Sequence, residues 1–240
     1  MTLWESITHY EPNFQIFGPE HLRNILIMGM VITALILLAR RSSDRAKGGI
    51  LIGVCSLMTA SVLFWFVLEV AYDRFFIDSD LPLVFCNFFA VFILIFAFTR
   101  NHVIYNILYY VVIVGATQAI ISPGLKFNFP HYEAIKFWTV HGGLLFVVLY
   151  MIFVYRMLPT IRGVFQAFIF IQLYVLLVMG INWVLGSNYL FLNQKPEVIT
   201  LLSWLGDWPY YIIFMDLLVI PFFFVSYLPV LGLKRLKAID

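Results

Sequence analysis

The chain has 240 residues, 62% hydrophobic and 12% charged, with 15 Lys and Arg against 13 Asp and Glu and a mean hydropathy of +0.94. This composition excludes an ordinary soluble globular domain and leaves no basic surface for nucleic acid. Linkers between apolar runs are short, so residues 1–240 form one membrane domain with no soluble module.

A spanning helix needs roughly 20 mostly apolar residues. Seven runs qualify: about His21–Leu38, Gly49–Ala71, Pro82–Thr99, Val103–Ile121, Lys136–Tyr155, Val164–Leu185 and Trp208–Val230. The expected fold is all-α, a polytopic seven-transmembrane-helix bundle. The first run follows acidic and neutral residues and has no small-residue cleavage site, so it reads as a span and not a signal peptide.

Lys and Arg set the orientation. Arg40, Arg41, Arg45, Lys47, Arg100, Arg156, Arg162, Lys234, Arg235 and Lys237 share one side, ten against the five (Arg23, Arg74, Lys126, Lys136, Lys195) on the other. The acids Glu5, Glu11, Glu20, Asp73, Asp78, Asp80, Glu133, Glu197 and Asp207 lie opposite the basic side. The expected N-terminus is outside the cell membrane and the C-terminus cytoplasmic. Cys55 and Cys86 then fall half a bilayer apart, too far for a bridge that needs Cα atoms within about 7 Å.

Polar side chains inside the spans gather on one side. Glu69, Cys86, Asn87, Gln118, His141, Asn182 and Asp216 come from six helices and fall in one layer, roughly 5–12 Å below the outer surface at 1.5 Å of rise per residue. Gln172 is the deepest exception. An intramembrane Cys, His or carboxylate is costly unless partnered, so the layer reads as a cavity opening outward. The structural alternative is that the Asn, Gln and His bond across helices and that Cys86 is a packing residue. Glu69 would on that reading snorkel towards Tyr72 and Arg74. The outer loops add His21, His131, Asn188, Tyr189, Lys195 and Trp208 as candidate substrate contacts. Most outer aromatics, Trp138 among them, fit an interfacial belt.

Several separated motifs carry a family resemblance. They are Phe17-Gly18-Pro19-Glu20-His21-Leu22, Leu81-Pro82-Leu83 with Cys86, Gln118-Ala119 with Ser122-Pro123, Phe129-Pro130-His131 and His141-Gly142. Asn182, Gly186-Ser187-Asn188-Tyr189 with Lys195-Pro196, and Gly206-Asp207-Trp208-Pro209-Tyr210 follow in order. From about Phe14 to Leu228 the chain resembles the YwaF family of bacterial integral membrane proteins, which is similar to the animal transmembrane protein 164 family of lipid acyltransferases. The resemblance implies acyl transfer between phospholipids by a membrane Cys and His, which map onto Cys86 and His141. More distant seven-helix relatives hydrolyse fatty-acid esters. The bacterial pattern commonly has a His two residues before the Cys and an acid or Ser after it; here Val84 and Asn87 stand there.

The chemistry agrees. Transfer through a thioester needs a thiolate, a base to form it and donors for the oxyanion. Cys86 is the nucleophile, His141 the base, and Asp216 or Glu69 the group expected to orient the imidazole. Asn87, Gln118 and Asn182 are the candidate carbonyl donors. Membrane phospholipids would be donor and acceptor, with no cofactor and no metal. Besides a lipid-ester hydrolase on the same site, two alternatives remain open. One is a small-solute transporter or lipid-binding protein without covalent chemistry. The other is a metal site from Cys86, His141 and Asp216, which lacks any local ligand spacing.

Overall fold

The structure is a computed structural model that describes residue 8 and residues 13–195 and 204–235. Glu5, Glu11, Pro196, Glu197 and Lys237, used above, lie outside the described residues. Among the described residues the chain forms seven helical rods and no strand. They are α1 (Pro19–Arg40), α2 (Asp44–Ala71), α3 (Phe85–Thr99), α4 (His102–Ile121), α5 (Tyr132–Phe153), α6 (Ile161–Leu185) and α7 (Tyr210–Arg235). Six are long and apolar enough to cross a membrane, and α3 is a shorter apolar helix. The protein is therefore a multi-pass membrane protein by the length and composition of its helices.

Local sequence explains the helix ends. Pro19 opens α1 and Glu20 sits in its first turn, both favoured where backbone N–H groups lack partners. Ser43, Asn101, His131 and Thr160 cap α2, α4, α5 and α6 through side chains that accept backbone N–H groups. Gly186 closes α6 at φ 65°, a left-handed position that suits glycine. Inside α4, Val112–Ala116 form a π-helical turn, packed against α5.

Helix α3 starts at Phe85, three residues later than the Pro82 expected from hydropathy. Two tyrosines hold its approach out of the helix. Tyr189 Oη accepts the Leu81 N–H at 2.9 Å, and Tyr174 Oη donates to the Leu83 carbonyl at 2.9 Å. The Leu83 N–H closes a tight turn onto the Leu81 carbonyl at 2.7 Å, and the two hydroxyls pin that non-helical turn to the rest of the bundle. The Leu-Pro-Leu stretch is thus a fixed strap that leaves Cys86 in the first turn of α3.

Helix α5 is the hub. It packs against α1, α2, α3 and α4, and 61% of its most apolar stretch is buried against 22% for α1 and for α7. Two glycines permit the approach: a Cβ at Gly142 would meet Met28 Cγ and Sδ at 3.1 Å, and one at Gly143 would collide with the Met58 thioether. Away from α5, α6 packs on α4 and α7 on α6. Buried tyrosines tie the basic half together by donating to carbonyls, Tyr109 to Ser226 at 2.7 Å, Tyr110 to Thr160 at 2.6 Å and Tyr150 to Lys47 at 2.9 Å. Their rings fill the core while their hydroxyls stay satisfied.

Candidate active site

Cys86 is a free thiol, half-buried in the first turn of α3. Asn87 follows it, half-buried, and its side-chain amide has no hydrogen bond among the described residues. His141 lies mid-way along the hub helix α5, and α3 packs on α5 directly. The His141 Nδ1 is 2.9 Å from the Phe137 carbonyl one turn earlier, and the Phe137 ring stacks on the imidazole with centroids 4.0 Å apart. A carbonyl can only accept, so Nδ1 carries the proton. In the neutral ring Nε2 then holds the lone pair.

Two contacts with α2 give the relative depth. Thr59 Oγ1 donates to the Ala90 carbonyl of α3 at 2.7 Å, while Gly143 of α5 lies against Met58. Cys86 comes four residues before Ala90 on α3, and His141 two residues before Gly143 on α5. At 1.5 Å per residue the two fall within about one helical turn of the same depth.

The carboxylates expected to orient His141 have other partners. Asp216 Oδ1 on α7 accepts a hydrogen bond from Gln172 Nε2 on α6. Glu69, buried at the end of α2, pairs with Arg74 across 3.6 Å. A charge taken out of water keeps its nearest partner, so the orienting group on His141 is a backbone carbonyl instead. Asp216 likewise does not combine with Cys86 and His141, and among the described residues no three His, Cys, Asp or Glu converge in a metal-binding arrangement.

Of the three candidate amides, Asn182 is bonded at both its nitrogen and its oxygen. Its Nδ2 donates to the Tyr189 carbonyl at 2.9 Å, and its Oδ1 accepts Ser187 Oγ and the Tyr189 N–H, each at 2.8 Å. Gln118 is exposed on α4. Asn87 alone of the three is next to Cys86 with an amide free to donate.

The six loop candidates hold the scaffold together. His21 is in the first turn of α1, not in a loop, and is fully buried. Its Nε2 donates to the Ile120 carbonyl at 2.9 Å and its Nδ1 accepts the Phe17 N–H at 3.0 Å, which uses both nitrogens. His131 caps α5 by accepting the Glu133 N–H at 3.1 Å and stacks on Phe127 at 4.1 Å. Tyr189 is buried and, besides accepting Leu81 N–H, donates to the Ile77 carbonyl at 2.8 Å. Asn188 organises its own loop through Asn193, Gln194 and the Gln194 carbonyl. Lys195 pairs with Asp207 at 3.6 Å, and Trp208 Nε1 donates to the Leu192 carbonyl at 3.1 Å.

Sequence reasoning missed a groove between α1, α2 and α5, with a volume of about 580 Å³. Its walls are mainly apolar, including Met28, Val54, Gly142, Gly143 and Phe146, while Arg23, Asn24, Thr139 and Trp138 bring polar groups to it. Trp138 is buried and its Nε1–H has no partner among the described residues. The spacing of Gly142-Gly143 was visible in the sequence, but not that two methionines from different helices would pack onto it.

Against known proteins, the model of the TMEM164 family matches residues 16–227 of the chain. No curated protein matches, and no solved structure does.

Proposed function

The chain belongs to the TMEM164 family, and from that membership we propose that it is a membrane-embedded phospholipid acyltransferase with Cys86 as nucleophile and His141 as general base. The observation that carries this reading is the imidazole whose Nδ1–H is held by Phe137, which leaves Nε2 as a base at about the depth of a free thiol. The apolar groove beside Gly142-Gly143 suits an acyl chain.

The cycle runs in two halves. His141 Nε2 takes the Cys86 thiol proton, and the sulfur attacks the carbonyl carbon of a donor ester. The Asn87 amide donates to the oxyanion of the tetrahedral intermediate. The C–O bond breaks, His141 returns the proton to the departing lysolipid hydroxyl, and the acyl group remains as a thioester on Cys86. An acceptor lysolipid hydroxyl then gives its proton to Nε2 and attacks the thioester. The C–S bond breaks, and His141 reprotonates the sulfur. Water in place of the acceptor makes the same site an ester hydrolase. The basic loops orient the site towards the extracytoplasmic leaflet of the cell membrane, at a depth suited to phospholipid ester bonds.

The test is acyl exchange between labelled phospholipid and lysophospholipid by the purified protein, with wild type, Cys86→Ala and His141→Ala compared. Loss of exchange in both folded variants, with loss of the acyl-enzyme in Cys86→Ala, is the expected result. Wild-type rates in either variant would refute the assignment. Solute uptake by the wild type with no acyl exchange would favour the transporter reading.

A further inference from the structure

The groove between α1, α2 and α5 is polar at one end only. Its wall on α1 runs from Arg23 to Leu35, about 18 Å at 1.5 Å of rise per residue. That is close to one leaflet of a hydrocarbon core roughly 30 Å thick. Asn24, Trp138 and Thr139 line the end nearest the starts of α1 and α5. Beyond Met28 the lining is apolar as far as Leu35, Val54 and Phe146. Ile27 and Val31 form an exposed lip, so the groove opens sideways, where a membrane protein meets lipid chains and not water.

The polar groups at that end lack partners. Asn24 is 7% exposed and Trp138 8%. Among the described residues the Asn24 amide makes no hydrogen bond, and neither does the Trp138 Nε1–H. The Thr139 hydroxyl, half-buried beside them, makes none either. Buried polar groups are paired in most folded structures, and an unpaired one in apolar surroundings is costly. An Asn inside an apolar helix ordinarily bonds across to a neighbouring helix, which Asn24 does not do. Arg23 at the mouth differs: it is exposed, and its guanidinium lies 3.7 Å from the Glu20 carboxylate. The unsatisfied end is therefore defined by Asn24 and Trp138, from two different helices.

We propose that this groove is a binding site for a glycerophospholipid, with one acyl chain along the apolar walls and its ester carbonyl at Asn24 and Trp138. An indole N–H can only donate, and an Asn amide nitrogen donates as well, so the matching group is an acceptor. The ester carbonyl is the acceptor that a lipid carries at the top of its chain, and a chain lying along the walls leaves it at the polar end. The exposed Arg23–Glu20 pair offers one charge of each sign to a zwitterionic headgroup. The site stands on these contacts alone and is independent of the Cys86–His141 reading.

Native mass spectrometry of the full-length protein released from detergent tests it. The Cys86→Ala background is used, so that turnover cannot consume the ester and the outcome stands apart from the catalytic reading. Dioleoyl phosphatidylcholine is titrated beside its di-ether analogue of equal chain length, which lacks only the carbonyl oxygens. The expected result is a saturable adduct of one lipid, about three- to tenfold tighter for the ester than for the ether. Asn24→Leu and Trp138→Phe should each shrink that preference, and Val31→Trp should weaken both lipids. If Asn24→Leu does not fold, Trp138→Phe alone should still shrink it. Equal affinity for ester and ether overturns the proposal, as does a preference that survives Asn24→Leu and Trp138→Phe. A dimer that Val31→Trp abolishes would assign the groove to a second copy of the chain and overturn it too.

Discussion

His141 is held by Phe137 twice, through an Nδ1–H to carbonyl bond of 2.9 Å and through a ring stack at 4.0 Å. The carbonyl fixes the tautomer, and the ring fixes the plane of the imidazole. A carboxylate in the same place would also stabilise an imidazolium; a backbone carbonyl does so less, and it cannot be removed by a side-chain substitution. Asp216, bonded to Gln172, stands outside this arrangement.

Asp216→Asn should therefore leave acyl exchange within about threefold of wild type, whereas the same change in a carboxylate-oriented triad costs about 10⁴-fold. Steady-state exchange rates decide it, and a loss of a hundredfold or more in a folded variant would mean that Asp216 acts on His141. Phe137→Leu, which keeps the carbonyl and removes the stacked ring, should lower kcat by about three- to tenfold, as expected for an aromatic contact of about 0.5–1.5 kcal/mol.

Tyr189→Phe should lower thermal stability and activity together. The hydroxyl bridges Ile77 O and Leu81 N, and its loss strands two polar groups at the entry to α3. Two neutral hydrogen bonds of this kind are worth about 2–3 kcal/mol, or a fall in Tm of about 5–10 °C for a chain of this size. Because the strap from Leu81 to Val84 sets where α3 begins, exchange should fall in the folded protein as well. Thermal unfolding and exchange measured on one preparation check both.

Six of the seven helices were legible because a span needs its own apolar run of bilayer length, whatever it packs against, and the shorter α3 because its run is almost wholly apolar. Their ends were less so. α5 starts at Tyr132 and not Lys136 because His131 caps it, and α3 starts late because tyrosines distant in sequence bind its approach. The polar layer was visible as a set of depths, but partners across helices are not encoded in depth. Asn182 belongs to Tyr189 and Asp216 to Gln172 for that reason. His21 stands at the very start of the first apolar run and reads as a loop-facing residue; its bond to Ile120, 99 positions away, left no local trace. The groove was invisible from the sequence, since its walls come from three helices.

Gly143→Ala should destabilise the bundle, because the new methyl group collides with the Met58 thioether where α5 packs on α2. Overpacking of a well-filled core costs about 1–3 kcal/mol. Met58→Val should recover part of that loss in the double variant, giving a coupling energy of about 1 kcal/mol in a double-mutant cycle. Additive single and double effects would mean that Met58 is not what Gly143 accommodates.

Val31→Trp places a large side chain in the groove between α1, α2 and α5. Val31 is exposed on α1, so the change costs the fold little and should leave Tm near wild type. If an acyl chain lies in the groove, filling it displaces methylenes from their apolar seat. Each buried methylene contributes about 0.8 kcal/mol, so excluding two lowers kcat/KM for a long-chain donor by about tenfold. A short-chain donor, which does not reach the blocked section, should react within about twofold of its wild-type rate. Competition between long- and short-chain donors in one exchange reaction measures the ratio directly, and an unchanged ratio would remove the groove from the reaction.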